Sequence, residues 1–232
     1  IDISGGSQLV WSGGGSLTID AVGSVVVDNT SSMLANGDSD AILIFSSGGN
    51  VINQNTTTSI ELAAIEVNGN NNSFNLSGAG GLVINSYLAL GGTTMSTLND
   101  MGNDLSVANF ISFPQNTINS SFTNNGVIYI GTDFYFNHQN CTLINNGTLV
   151  LTDDIQVVSN SDVNNNIINN STGVISLNEL RLGNADGFVL NNSGIFTLSD
   201  DIISVVADNQ INNLSGGVLN YGGGNADADV AL

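Results

Sequence analysis

The stretch Leu143-Ile-Asn-Asn-Gly-Thr-Leu-Val-Leu151 joins an apolar pair, two asparagines, a glycine and an alternating apolar run. Four other stretches repeat this unit, with zero to two small residues inserted before the glycine, at 122–130, 167–177, 190–198 and 211–219. The glycines, which are Gly126, Gly147, Gly173, Gly194 and Gly217, are separated by 21, 26, 21 and 23 residues. A period in the twenties built from short strands and turn residues is typical of a solenoid.

The repeat extends backwards through Gly102 and Gly81, and similar spacing continues toward the first residues. Alternating apolar side chains point every second residue inward, and stacked rungs then share one core. The sequence therefore predicts an all-β parallel β-helix (β-solenoid) of about ten rungs with 21–26 residues each. We expect one elongated domain over residues 1–232, clearest in 122–219, with 222–232 as a flexible or docking tail.

The asparagine pairs have two structural interpretations. In a solenoid they mark corners, where Asn and Gly tolerate a positive φ, and their stacked amides can bond from rung to rung. In an antiparallel sandwich, Asn-Gly would mark two-residue hairpin turns. The inserted residues favour the solenoid, because an insertion shifts a hairpin register but only bulges a corner.

The composition of the chain excludes several partners. The 232 residues carry 17 Asp, 3 Glu, no Lys and one Arg, for a net charge of −19. Such a charge repels nucleic-acid phosphates and anionic lipid, and no apolar run reaches the roughly 18 residues of a membrane span. Because only 9% of its residues are charged, 37 are Asn and none is Lys, the chain is expected to be extracellular or displayed at the cell surface.

The repeat units resemble the Asn- and Gly-rich parallel β-helices of secreted bacterial surface proteins. Autotransporter passenger domains, filamentous-haemagglutinin-like adhesins and large surface proteins of Bacteroidetes share the motif Asn-Asn-x-Gly followed by alternating apolar residues. The resemblance covers 122–219 well and 1–121 loosely. It implies a secreted, extended surface protein, and it supplies no functional residues.

Acidic residues recur at fixed distances from the repeated glycines. Offsets of six and seven residues reach Asp153 and Asp154 in one unit and Asp200 and Asp201 in another. The same offsets reach Asp133 in the unit before these two and Glu179 in the unit between them. Equal offsets stack in a solenoid, so a column of carboxylates is predicted. Ca²⁺ prefers such hard oxygen ligands, whereas solvated turn acids are the alternative, and the lone cation Arg181 is expected to neutralise Asp154 or Asp201. The predicted metal ligands are Asp133, Asp153, Asp154, Asp200 and Asp201; no other cofactor is expected.

Other side chains suggest weaker hypotheses. Tyr129 and Tyr135 are candidates for stacking on sugar rings. His138 and Cys141 offer a nucleophile and a base without an orienting group, so no catalytic residues are assigned and the chain is not expected to be an enzyme. Eleven Asn-x-Ser/Thr sequons offer glycosylation sites, or arise by chance in an Asn-rich chain: Asn29, Asn55, Asn71, Asn75, Asn119, Asn140, Asn146, Asn169, Asn170, Asn191 and Asn213.

The leading functional hypothesis is a structural protein that forms an extracellular fibre, sheath or filament. The end strands of such a solenoid pair readily with other strands unless they are capped, so we expect a head-to-tail homopolymer. An adhesin or carbohydrate-binding surface module is the alternative. A polysaccharide-degrading β-helix enzyme is the second alternative, although one arginine suits an acidic-sugar substrate poorly.

Overall fold

The computed structural model describes residues 2–10, 15–19, 26–27, 32–35, 41–46, 49, 51–55, 60–68, 71–77, 81–91, 93–97, 104–114, 119–158, 164–183, 187–204 and 208–222. Asn29, Trp11 and the predicted tail beyond Gly222 lie outside these ranges. The described residues form strands and turns without a helix, and every strand pairing among them is parallel. The parallel β-helix is confirmed, and the hairpin interpretation of Asn-Gly is wrong.

The chain winds through three sheets that form the sides of the solenoid. The first side stacks β1 (Asp2–Ile3), β4 (Val26–Val27), β7 (Val51–Asn55), β10 (Asn72–Ser77), β13 (Thr93–Thr97), β16 (Ser121–Asn124), β19 (Thr142–Asn145), β22 (Asn166–Asn169), β25 (Val189–Asn192) and β28 (Gln210–Asn213). The second side stacks β8 (Ile60–Leu62), β11 (Leu82–Ile84), β14 (Asp104–Val107), β17 (Val127–Ile130), β20 (Thr148–Leu151), β23 (Val174–Leu177), β26 (Ile195–Leu198) and β29 (Val218–Tyr221).

The third side stacks β3 (Gly15–Ile19), β6 (Ala41–Phe45), β9 (Ala64–Val67), β12 (Leu88–Leu90), β15 (Ile111–Phe113), β18 (Phe134–Phe136), β21 (Ile155–Val157), β24 (Leu180–Gly183) and β27 (Ile202–Ser204), while β2 (Gln8–Val10) pairs with β5 (Ser32–Ala35). The predicted number of ten rungs is too high if only complete turns are counted. Ten strands stack on the first side, but turns with a strand on all three sides run only from β7 to β27 among the described residues.

The core is a continuous column of inward-facing apolar side chains. Along β19 and β20, buried and half-exposed residues alternate, as the sequence pattern predicts. Phe113, Phe122, Phe134 and Phe136 meet inside at centroid distances of 5.2–6.1 Å, mostly edge to face. Edge-to-face contacts are favourable for aromatic rings, so this cluster stabilises the turns beyond the area that it buries.

A ladder of buried asparagine amides runs along the corner between the first and second sides. The Nδ2 of Asn124 donates to the Oδ1 of Asn145 at 2.8 Å, Asn145 donates to Asn169 at 2.9 Å, Asn169 to Asn192 at 2.8 Å, and Asn192 to Asn213 at 2.8 Å. Four of these side chains are buried, and only Asn213 at the end is exposed. The rung-to-rung amide bonds that the sequence suggests are therefore present.

Each inner amide also satisfies the backbone of its neighbours. The Nδ2 of Asn169 donates to the carbonyl oxygen of Ile195 at 3.0 Å, and the Nδ2 of Asn192 donates to that of Val218 at 3.0 Å. These carbonyls belong to the first residues of second-side strands, where the chain has just turned the corner. The amide thus supplies the hydrogen bond that the turn would otherwise leave unmade.

A second, half-buried ladder lies beside the first. The Nδ2 of Asn146 donates to Asn125 at 2.8 Å, and that of Asn170 donates to Asn146 at 2.6 Å. Both residues of the asparagine pair therefore bond between rungs, one inside the corner and one near its surface. This explains why the sequence repeats two asparagines rather than one.

The glycine of the repeat is required by crowding and not by an unusual φ. A Cβ at Gly147 would lie 2.1 Å from the carbonyl oxygen of Gly126, and one at Gly194 would lie 2.2 Å from that of Gly173. The described non-glycine residues with positive φ are Asn71, Asn119, Asn140 and Asn164, which precede first-side strands. The expected left-handed asparagine is thus at the corner between the third and first sides, and our placement of it in the repeated pair was wrong.

We predict that Asn169→Ala lowers the unfolding midpoint much more than Asn170→Ala. The first substitution removes a buried amide and leaves the Asn145 amide and the Ile195 carbonyl without this partner, at about 1–3 kcal/mol for each orphaned group. The second removes a half-buried amide that water can replace. Urea denaturation followed by circular dichroism measures both, and equal midpoints would contradict the structural role of the inner ladder.

Candidate functional site

The corner between the second and third sides carries a column of acidic and aromatic side chains. Backbone hydrogen bonds stack successive turns at this corner: Phe134 N donates to Asp154 O at 2.9 Å, Ile155 N to Glu179 O at 3.0 Å, and Leu180 N to Asp201 O at 3.1 Å. Toward the N-terminal end, the same bonds place Asp133, Phe110 and Tyr87 in line. The column therefore reads Tyr87, Phe110, Asp133, Asp154, Glu179 and Asp201.

This order corrects the predicted alignment by one residue in one turn. Counting from the glycines places Glu179 beside Asp153 and Asp200. The corner after β23 is one residue shorter than its neighbours, so Asn178 lies between Asp153 and Asp200 instead, with Asn178 N donating to Asp153 O at 2.8 Å. Glu179 joins the inner column beside Asp154.

Only three of the five predicted metal ligands come together. Carboxylate oxygens of Asp133, Asp153 and Asp154 lie within 4.8 Å of one another. Asp200 and Asp201 belong to the corner two turns beyond Asp154, roughly 10 Å along the axis at ~4.8 Å per turn. The Oδ1 of Asp201 instead accepts a hydrogen bond from the Tyr221 hydroxyl at 3.4 Å.

Several oxygens of the triad already accept protein hydrogen bonds. Asp133 accepts from the Tyr135 hydroxyl and from the Gln156 amide, both at 2.8 Å, and Asp154 accepts from the Glu179 backbone N–H at 3.0 Å. The sequence pattern did not reveal Gln156, which reaches Asp133 from the next turn. A Ca²⁺ ion would compete with these donors, and the most accessible oxygens for it are those of Asp153, which is the most exposed of the three. Calcium binding stays a prediction.

Arg181 lies against two of the acids. Its Nε is 2.6 Å from Asp154 Oδ2 and 2.7 Å from Glu179 Oε2, and Asp154 is almost fully buried. Burial raises the pKa of Asp154 to about 6; Arg181 opposes this shift, while Asp153 and Glu179 add to it. One arginine beside several carboxylates leaves negative charge in excess, so Asp154 binds a proton at higher pH than an ordinary aspartate does.

Tyrosine hydroxyls provide further donors to the acids of this surface. Tyr87 donates to Glu66, which together with burial raises the pKa of Tyr87 to about 12. Burial and the hydrogen bond to Asp133 raise the pKa of Tyr135 to about 12. Phe110 lies between the two rings, at centroid distances of 5.4 and 5.5 Å. Sequence reasoning missed Glu66 and Tyr87, although Tyr87 lies six residues after Gly81 and the offset rule could have found it.

The structure separates the two tyrosines proposed for sugar stacking. Tyr129 lies on the outer face of β17 on the second side, whereas Tyr135 lies on β18 on the third side, bound to Asp133. Tyr129 borders an open groove of about 240 Å³, lined also by Ser106, Val150 and Thr152. The two rings form no common platform, and carbohydrate binding stays a prediction for each of them separately.

The candidate nucleophile is a buried thiol. Burial raises the pKa of Cys141 to about 11, so the side chain is a neutral thiol at physiological pH. Its Sγ donates to the carbonyl oxygen of Gln139 at 3.6 Å, hydrogen bonds with Ser120 oppose the rise in its pKa, and the described residues Cys141 and His138 form no hydrogen bond with each other. A thiolate is the reactive form of cysteine, so this environment does not favour nucleophilic chemistry.

The predicted glycosylation sites differ in accessibility. Asn169 is fully buried, and its amide nitrogen bonds within the inner ladder, so the folded chain has no room for a glycan there. Asn71, Asn119, Asn140 and Asn213 are exposed, and Asn75, Asn146, Asn170 and Asn191 are half-buried. Asn29 and the side chain of Asn55 fall outside the described structure.

Comparison of the chain with protein-family models, curated proteins and solved structures gives no match. Within the described residues there is no helix long and apolar enough to cross a membrane. The fold and the corner geometry are therefore the only guides to function.

We predict that the unfolding midpoint falls as the pH rises from about 4 to above 6. The folded-state pKa of Asp154, about 6, exceeds its ordinary value of 3.8, so the folded chain retains a proton that the unfolded chain loses. The stabilisation from this proton is complete below the lower value and is lost as the pH passes the higher one. Thermal melts across this range should show a shallower slope for Asp154→Asn than for the wild type.

Asp200→Asn is the matched control, because it removes one exposed acid of the same corner without changing a buried carboxyl group. It should keep the wild-type slope. If Asp154→Asn and Asp200→Asn flatten the slope equally, the effect comes from overall charge and not from the buried Asp154.

Calcium binding makes a separate prediction for the same corner. If the triad binds Ca²⁺, removal of the ion with a chelator at pH 7.5 lowers the midpoint of the wild type and lowers that of Asp153→Asn less, since Asp153 offers the most accessible oxygens. Differential scanning calorimetry with a calcium titration measures both. An unchanged wild-type midpoint would rule out a stabilising calcium site.

Proposed function

We propose that the protein is a structural subunit of an extracellular fibre, sheath or filament in which β-solenoids stack end to end. The observation that supports this most is the state of the two ends of the described stack. Three apolar residues pack against the core but stay partly exposed: Ile3, Leu17 and Leu219. Ile3 and Leu17 lie on the first strands of their sides, β1 and β3, and Leu219 lies on β29, the last described strand of the second side.

The residues at the C-terminal end occupy core positions that no further described turn covers. Leu219 pairs with the fully buried Phe196, and Tyr221 pairs with the buried Leu198, yet Leu219 is half-exposed and Tyr221 is exposed. In the interior of the stack, the next turn covers such residues. A second copy stacked on this end would supply that turn and remove the apolar surface from water.

Three of the terminal strands also lack the features that prevent strands from pairing, whereas β1 carries the exposed Asp2. β28 (Gln-Ile-Asn-Asn), β29 (Val-Leu-Asn-Tyr) and β3 (Gly-Ser-Leu-Thr-Ile) contain no charged residue and no proline, the residues that natural edge strands use against association. Two different ends that join head to tail make a heterologous contact, which extends into an open filament. A chain with few charges of either sign besides Asp suits an extracellular or cell-surface location.

The alternative functions receive less support from the geometry. A carbohydrate-binding module would rest on Tyr129 and Tyr135 separately, because they lie on different sides. A polysaccharide-degrading enzyme would need a free acidic pair, whereas Arg181, Gln156 and backbone N–H groups bind the buried acids of the corner. Both remain alternatives that glycan binding and activity assays on Asp153→Asn and Asp200→Asn would test.

We predict that Leu219→Lys at one end and Leu17→Lys at the other each prevent filament growth. A charged side chain on the end surface disfavours its desolvation, while the cost to folding is small because both residues are only partly buried. Light scattering should show the wild-type mass rising with concentration and the variant masses staying low. Ile144→Lys, which adds the same charge to the outer face of β19, is the control and should assemble like the wild type.

Mixing the two end variants gives a sharper result. Each keeps one intact end, so an equimolar mixture should form dimers that grow no further, as electron microscopy and sedimentation would show. A wild-type chain that stays monomeric at high concentration would contradict the proposed function.

A further inference from the structure

The outer face of the second side carries an uncharged strip over five consecutive turns. Its members are the outward residues of β17, β20, β23, β26 and β29: Val127, Tyr129, Thr148, Val150, Val174, Ser176, Ile195, Thr197, Val218 and Asn220. The strand register stacks them in two straight columns. We call this surface the lateral strip.

The lateral strip holds three of the most exposed large apolar side chains in the described structure. Tyr129 is 48% exposed, Ile195 42% and Val218 46%. β-Branched residues occupy the entire first column, and their side chains are stiff, so they lose little freedom when a partner covers them. A contiguous exposed apolar surface of this kind is typical of an interaction site.

We propose that the lateral strip is the surface through which two copies of this chain associate side by side. Charge determines the surface on which two copies can meet. A second copy also carries a net charge of −19, so most approaches bring acids against acids, and the acidic corner makes the border with the third side repulsive. The ten positions of the strip contain no charged residue, so the strip is a surface on which two such rods can touch without that repulsion.

The size of the strip determines when this association becomes stable. Five turns at ~4.8 Å and four residues at ~3.3 Å give roughly 300 Å² per copy, below the ~800 Å² per partner of a standard interface. Two single rods therefore pair weakly. Where many copies are held in line, the strips act together and the association becomes strong. The inference thus extends the proposed function, because end-to-end filaments would bundle through this side.

Beads that carry many copies of the chain test the strip without relying on filaments. All variants carry Leu219→Lys, so that end-to-end contacts do not link the beads. Beads with this chain should cluster, and clustering should increase with added salt, because salt screens the repulsion between acidic rods and leaves apolar contact intact. Val174→Glu, at the centre of the strip, should abolish clustering at every salt concentration.

Ile144→Glu is the matched control, since it adds the same charge to a half-exposed outward position of a central strand on the first side. It should cluster like the parent. No clustering of the parent, equal clustering with Val174→Glu, or clustering that weakens with salt would each overturn the inference. If filaments form but the beads do not cluster, the lateral contact is ruled out and the end-to-end assembly is not. If the beads cluster but no filaments form, the proposed end-to-end assembly is ruled out and the lateral contact is not.

Discussion

The rest of the structure depends on one constraint, the satisfaction of a buried amide at the corner between the first and second sides. An asparagine side chain buried there needs an acceptor and a donor, and water does not reach it. The next turn supplies both, because each Nδ2 meets the Oδ1 above it and the first carbonyl of the following strand. A slip of one residue would break every bond in the ladder, so the ladder fixes the register of the turns. The glycine follows from the same packing, since the backbone of each turn lies against that of the next.

This fixed register determines which acids meet at the opposite end of each second-side strand. The second-side strands β17, β20, β23 and β26 each contain four residues, so the column at the second corner depends only on the length of the corner. Where the corner is three residues long, its last residue is an aspartate of the inner column: Asp133, Asp154 or Asp201. The corner after β23 is only two residues long, so Glu179 takes this place in the column instead. The same short corner places Arg181 beside Glu179. A change of one residue in a turn thus produces the only ion pairs among the described side chains, while burial still raises the pKa of Asp154 to about 6.

The sequence predicted the architecture because its signals are periodic. The alternation of apolar residues, as at Leu149 and Leu151, identifies the strands and their core-facing side chains. The repeated Asn-Asn-Gly identifies a corner, and the stacked amides follow from its repetition. Prediction from the sequence failed for contacts that depend on how one repeat lies against the next. Counting from glycines assumed corners of constant length and misaligned Glu179, and Asn119, Asn140 and Asn164 adopt positive φ at a corner that no clear motif marks. Tyr129 and Tyr135 are six residues apart, but a corner lies between them and sends their rings to different sides. The contacts of Gln156 and Tyr135 with Asp133 depend on which turn lies next, and a composition count cannot show this.

A fold stabilised by contacts between neighbouring turns has an inherent difficulty at its ends. In the interior, each Asn donates to the next turn; at the last described turn, the Nδ2 of Asn213 donates back to Gly217 O of its own turn, and Leu219 loses the cover that Phe196 has. Such an end can be closed by a charged or helical cap, or it can be covered by another copy. Among the described end strands, β3, β28 and β29 carry no charge, and β1 carries Asp2. Negative charge is thus concentrated at the corner between the second and third sides, where it opposes unspecific lateral contact, and it is absent from the end strands β3, β28 and β29 and from the lateral strip. A monomer gains nothing from that distribution, since exposed apolar surface remains in water, whereas an assembly buries the uncharged surfaces and leaves the acids in solvent.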